Sequence, residues 1–206
     1  MRRAVRLWLG LPLLALGVWQ AGQGLYIPGK AAAAQLLLRA AWERTRHGDV
    51  AARPWPWADT WPVARLEVPR LGIDEIVLAS ATGRSLAFAP GHIDGTAMPG
   101  TNGTTVIGGH RDTHFRFLRD LVAGDVIRLS PPTGDAREYR VMRTAVVEQG
   151  KAGIVLDAEA SRLVLVTCWP FDALVPGGPL RYAVTAESVR PGESADAPIA
   201  PSGPIP

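Results

Sequence analysis

The sequence predicts a mainly β domain, a small barrel or sandwich, over residues 63–190. Short β-branched runs recur along that stretch, clusters of Gly, Pro, Asp and Asn separate them, and only THFRFLRDL reads as a helical turn. In order the runs are ARLEVP, IDEIVLA, TTVIGG, DVIRLS, EYRVMRTAVVE, RLVLVTC and LRYAVTA, which makes seven or eight strands. The breakers PGHIDGTAMPGTNG and SPPTGDA mark the longer turns between them. No repeat of fixed period is visible.

The flanks read differently. Arg2, Arg3 and Arg6 precede a stretch, Leu7 to Gly29, that carries no charge. A helix needs roughly 20 apolar residues to cross a bilayer, and the preceding arginines place the rest of the chain outside. A cleaved signal peptide, with Ala31 to Ala34 as the small-residue site, is the alternative; the length of the uncharged stretch favours an uncleaved anchor, and both readings export the domain. Residues 1–29 are therefore expected to be a cytoplasmic stub and transmembrane helix. Residues 30–62 follow as a juxtamembrane helix, AAAAQLLLRAAWERTRH, and a linker, RPWPWADTWP, whose tryptophans suit a lipid interface. Residues 191–206 hold five prolines and no apolar periodicity, the composition of an extended, disordered tail.

Composition excludes several functions. The hydrophobic share of 47% and charged share of 20% are those of a folded protein. The net charge of +3 equals the three arginines of the first six residues, so the rest is balanced and no basic stripe suggests nucleic acid. The chain lacks G-x-S-x-G, H-E-x-x-H, C-x-x-C and G-x-G-x-x-G patterns. Gly24 to Lys30 has the spacing of a phosphate-binding loop, but Ala31 stands where a hydroxyl would hold magnesium and an apolar segment precedes it. Asn102-Gly103-Thr104 is formally a glycosylation sequon. No cluster of acidic residues suggests a metal site, and no cofactor is implied.

The chain has one cysteine, so no internal disulfide forms. In an exported protein a lone thiol is either buried and inert or kept for its chemistry. Cys168 ends the most apolar run, Leu163 to Thr167, and Trp169-Pro170 follows at once. Proline cannot continue a central strand, so Cys168 sits at a strand end, where a side chain can open onto a cleft. A thiol nucleophile needs a base or cation beside it. His92, His110 and His114 lie within the domain, where His110 closes the run VIGG and so also sits at a strand end; His47 lies in the juxtamembrane helix. Arg181 lies on LRYAV. Each residue in isolation has a bland alternative: packing for the cysteine, a surface role for the histidine and the arginine.

In combination, ARLEVPRLGI, APGHIDGTAMPGTNGTTVIGGHRDTHFRFLRDL, LVLVTCWPF and LRYAV make the segment Val63 to Arg190 resemble the sortase family. Its members carry a histidine after a VIGGH-like strand, a T-x-T-C-type strand end and an arginine on the next strand. These fall on His110, Val166-Thr167-Cys168 and Arg181. The ending Thr167-Cys168-Trp169-Pro170-Phe171 looks like the N-terminally anchored sortases of Gram-negative bacteria. The resemblance implies an eight-stranded sortase barrel and a monomeric cysteine transpeptidase of the inner membrane, with its domain in the periplasm. Cys168 would be the nucleophile, His110 the acid and base, Arg181 the oxyanion or substrate clamp. Thr167 would contact substrate or position the backbone, and Asp112, two residues past His110, would orient the imidazole or hold its own loop; His92 is the second-choice histidine and His114 the third. The implied partners are an exported protein with a C-terminal Leu-Pro-x-Thr-Gly-like signal and an amine acceptor. A non-catalytic peptide-binding barrel and a cysteine hydrolase are the rival readings.

Overall fold

The computed structural model describes residues 20, 29–150, 156–173 and 177–189. The expected anchor, except for Gln20 and Gly29, and the proline-rich tail lie outside them. No described helix is long and apolar enough to cross a membrane. The chain divides into two compact units, Met1–Leu37 and Leu38–Pro206. In the first, residues 29–37 are helical; in the second, residues 38–46 are helical, and we call these α1.

Eight strands follow: β1 (Pro62–Val68), β2 (Ile73–Leu78), β3 (Gly91–His92), β4 (Gly103–Gly108), β5 (Val126–Ser130), β6 (Arg137–Glu148), β7 (Ser161–Cys168) and β8 (Leu180–Ser188). They close into a barrel in the order β1-β2-β3-β4-β7-β8-β6-β5. Seven of them are the β-branched runs of the sequence. The eighth, β3, has two residues, pairing Gly91 with Leu78 on one side and with Gly108 on the other. A Cβ at Gly91 would stand 2.1 Å from the Ser80 carbonyl oxygen, so the chain before β3 crosses it backbone to backbone. A one-turn helix, α2 (Gly83–Leu86), joins β2 to β3, and its Ser85 N–H is accepted by the Thr82 hydroxyl at the N-cap. THFRFLRDL supplies a 3₁₀ turn at Arg116–Asp120.

Alternation along the strands fills the interior. Ile107, Leu163, Leu165, Val184, Ala186, Leu66, Ile127, Leu129 and Val141 are fully buried and join Phe115 and Leu118 in one core. All six residues of β4 are buried, and the outward-facing Val106 and Val164 are covered as well. Such two-sided burial fits β4 and β7 as adjacent parallel strands in the middle of the sheet.

The segment before β1 is not a free linker. Trp55 packs edge-on against Phe88 at 4.9 Å, Trp61 packs against the main core, and only Trp57 is broadly exposed. Leu38 of α1 is buried with Leu78 and Ala89. Two ion pairs brace the barrel, one between strands and one between loops. Arg65 forks onto Asp74 across β1 and β2, and Arg70 forks onto the buried Asp125, which also accepts the Val122 N–H at 2.8 Å. The Arg65 hydrogen bonds hold the Asp74 carboxyl below the usual carboxylate range against partial burial. Burial works against the Asp125 carboxylate too, but Arg70 and the Val122 amide outweigh it and its pKa is also lowered.

Candidate active site

The parallel pair β4–β7 brings two strand ends to one end of the barrel. Gly108 pairs with Val166, the last pairing of the ladder, and the Gly109 N–H donates to the Val166 carbonyl at 3.2 Å. Two residues beyond each partner stand His110 and Cys168. Cys168, half-buried, is a free thiol at the last position of β7. It shares the outward face of β7 with Val164 and Val166, while Leu163, Leu165 and Thr167 face inward. Trp169-Pro170, a cis peptide, ends the strand as the sequence predicts.

Arg181 stands directly opposite Cys168 in the antiparallel register of β7 and β8. Directly opposed residues point to the same face with Cβ atoms about 4.5–5.5 Å apart, so the guanidinium and the thiol share the outer surface. The guanidinium donates to the Gly178 carbonyl at 2.7 Å, to the Leu180 carbonyl at 2.9 Å and to the Gln149 side-chain oxygen.

His110 is exposed, and what precedes it is tightly fixed. The hydroxyl of Thr167, 2% exposed, donates to the Gly109 carbonyl at 2.7 Å. That bond ties the residue before the cysteine to the residue before the histidine. Phe115 is fully buried below the loop, and its N–H donates to the His110 carbonyl at 2.9 Å. A Cβ at Gly109 would meet the Phe115 ring at 2.6 Å, which is why glycine stands before His110.

Arg111 escaped the sequence reading. It is 8% exposed, and its guanidinium donates to the Ala173 carbonyl at 2.8 Å, joining the loop after His110 to the turn after Cys168. A cation immediately after the candidate histidine was the available signal. Behind the thiol, Trp169, Phe171 and Tyr182 form an aromatic cluster with centroids 5.2–5.6 Å apart, and Phe171 and Tyr182 pack on the core.

The other histidines stand apart from this group. His92 is 3% exposed and its Nε2 lies 3.0 Å from both the Ala97 carbonyl and the Thr96 hydroxyl oxygen. The carbonyl can only accept, so Nε2 carries the proton and braces the turn before β4. His114 lies 3.1 Å from Glu75 on β2. His47 sits at the end of α1, with Nδ1 2.7 Å from the Glu43 carbonyl. Asp112 is exposed, and no described residue bonds its carboxylate. Among the described residues no group of three His, Cys, Asp or Glu is placed to hold a metal ion. A cavity of about 650 Å³ lined by Trp61, Pro99, Pro131 and Arg137 opens where β4 and β6 begin, at the opposite end of the barrel from Cys168.

A thiol and a guanidinium opposed across β7 and β8, with an imidazole in the loop at the same end of the barrel, are the groups that acyl transfer needs: a nucleophile, an anion stabiliser and a proton carrier. The chain is 32% identical to sortase D of Bacillus subtilis (strain 168) over 125 residues, spanning 60% of this chain and 62% of that relative. Among solved structures, a Clostridium perfringens sortase D5 transpeptidase superposes with a TM-score of 0.62 at 22% identity, covering 77% of this chain and 99% of the other. Sortase C-1 from Actinomyces oris gives 0.56 at 27% identity, covering 63% and 73%. The sortase-domain family model matches residues 66–189, more than half of the sequence, and the chain belongs to the sortase family.

Proposed function

We propose that this protein is a cysteine transpeptidase in which Cys168 is the nucleophile, His110 the proton carrier and Arg181 the anion clamp. The observation that carries the reading is the pairing of Cys168 with Arg181 across β7 and β8, beside the strand end that bears His110. The Cys168 thiolate attacks a backbone carbonyl of a sorting-signal peptide related to Leu-Pro-x-Thr-Gly, between its Thr and Gly. The carbonyl π electrons move to oxygen, where Arg181 donates to the oxyanion. Collapse breaks the C–N bond, and His110 protonates the departing amine. The thioacyl enzyme is then attacked by an incoming amine, which His110 deprotonates, and the thiolate leaves.

The uncharged stretch after Arg2, Arg3 and Arg6 supports an inner-membrane anchor with the domain in the periplasm, and the Thr167-to-Phe171 ending supports the Gram-negative subgroup. On this reading the protein acts as a monomer, on an exported protein carrying the signal and on an amine acceptor. The test is to incubate the chain with a Leu-Pro-x-Thr-Gly-type peptide library, with and without added amine, and to read mass spectra. A peptide adduct on Cys168 that passes to the amine, and is absent from Cys168→Ala, is the expected result. Cut peptide in the presence of amine would make the protein a hydrolase. No adduct, with Cys168 inert to iodoacetamide until unfolding, would make it a binding domain.

A further inference from the structure

We propose that Gln149 is a positioning residue for Arg181, holding its guanidinium plane so that the remaining donors meet the oxyanion. The inference rests on the clamp role given to Arg181 above. A guanidinium has five N–H donors in one plane and no acceptor. Arg181 spends both Nη1 donors on the carbonyls of Gly178 and Leu180, and one Nη2 donor on Gln149 Oε1. Nε–H and the second Nη2–H keep no partner among the described residues.

The two carbonyls belong to Arg181's own strand and the turn before it. Both are reached from Nη1, so alone they leave the group free to swing about that nitrogen. Gln149 comes from a different element. It follows the last residue of β6, Glu148, which pairs with Leu180, and its own N–H donates to the Pro179 carbonyl at 2.8 Å. Its backbone is therefore fixed against β8 independently of its side chain. The third acceptor, off the Nη1 axis, defines the plane. Because an amide oxygen carries no formal charge, it orients the cation without neutralising it, which leaves the charge for the oxyanion. The oxyanion forms only after thiolate attack and is absent from the bound substrate, so the effect belongs in kcat and not in KM.

Gln149 is exposed, so its replacement leaves the core untouched. The experiment uses the full chain and two readouts. The first is ¹⁵N NMR of the arginine side chains, with Arg181→Lys assigning the signal. Restricted rotation of the Arg181 Nη groups is expected in the wild type, lost in Gln149→Met and regained in Gln149→Glu. The second is turnover of a quenched fluorescent Leu-Pro-Glu-Thr-Gly peptide. Gln149→Met is expected to lose about 10-fold in kcat with KM within about twofold, Gln149→Glu to turn over faster than Gln149→Met, and Gln149→Met to cost nothing further in an Arg181→Ala background. Freely averaging Arg181 signals in the wild type overturn the proposal whether or not that peptide is a substrate. So does a Gln149→Met loss that multiplies with Arg181→Ala. Wild-type turnover by Arg181→Ala with restricted Arg181 signals instead removes the clamp role and leaves the contact standing.

Discussion

The substitution Gly109→Ala adds one methyl group one residue before His110, at a place where the barrel has no room for it. The new Cβ would lie 2.6 Å from Cγ and 2.8 Å from Cδ2 of Phe115. Ordinary carbon–carbon contact begins near 3.5 Å, so one partner has to retreat by roughly 1 Å. Phe115 cannot do so cheaply, because it is fully buried in the main core and packs edge-on against Phe117 at 5.8 Å. The loop has to move instead, and Gly109 is bonded on both sides to β7 through Val166 and Thr167. Overpacking of this kind costs about 1–3 kcal/mol. On the proposed mechanism, a displacement of about 1 Å at His110 lowers the acylation rate on the order of 100-fold. Urea unfolding of the purified chain measures the first quantity, and the rate of the Cys168 adduct measures the second. The double variant Gly109→Ala/Phe115→Leu makes room for the methyl and is expected to recover part of both losses relative to the two single effects combined. An unchanged urea midpoint together with an unchanged adduct rate for Gly109→Ala would refute the packing argument.

Three further outcomes follow from particular side chains. Arg181→Lys is expected to stay badly impaired, because an ammonium cannot reproduce a planar fork bound to three acceptors; near-normal peptide turnover by the lysine variant would sink the clamp role. Thr105→Val is expected to be neutral or to stabilise by up to about 1 kcal/mol in urea unfolding, since the Thr105 hydroxyl is fully buried on the inner face of β4 without a described partner. The folded pKa values of Asp74 and Asp125 lie below the unfolded carboxyl value near 3.9. Their contribution is therefore complete above that value and is lost as pH falls through the lower folded values. The urea midpoint should fall as pH drops below about 4, and less steeply in Asp125→Asn; equal acid slopes in the two proteins would contradict the assignment.

Some of this protein could be read from the chain alone because the signals are local. Seven strands are β-branched runs bounded by turn residues, and Pro170 and the Gly108-Gly109 pair fix where β7 and β4 stop. Those stops are enough to put Cys168 and His110 at strand ends. The remainder depends on contacts between distant segments, which local pattern does not encode. β3 has two residues held by its neighbours on both sides, too few to leave a run in the sequence. The tryptophans at 55 and 61 look like linker residues until Phe88 and the barrel core arrive beside them. Three histidines of one chemical type lie within the domain, and packing separates them: His92 is buried on a carbonyl, His114 faces Glu75, and His110 is exposed at the cysteine's end of the barrel. Local pattern in the chain was enough for the family, the strand content and the place of Cys168 at a strand end. Only the tertiary structure set Arg181 opposite Cys168 and Gln149 against Arg181, because strand register and loop contacts across the barrel are settled by packing between residues far apart in the chain.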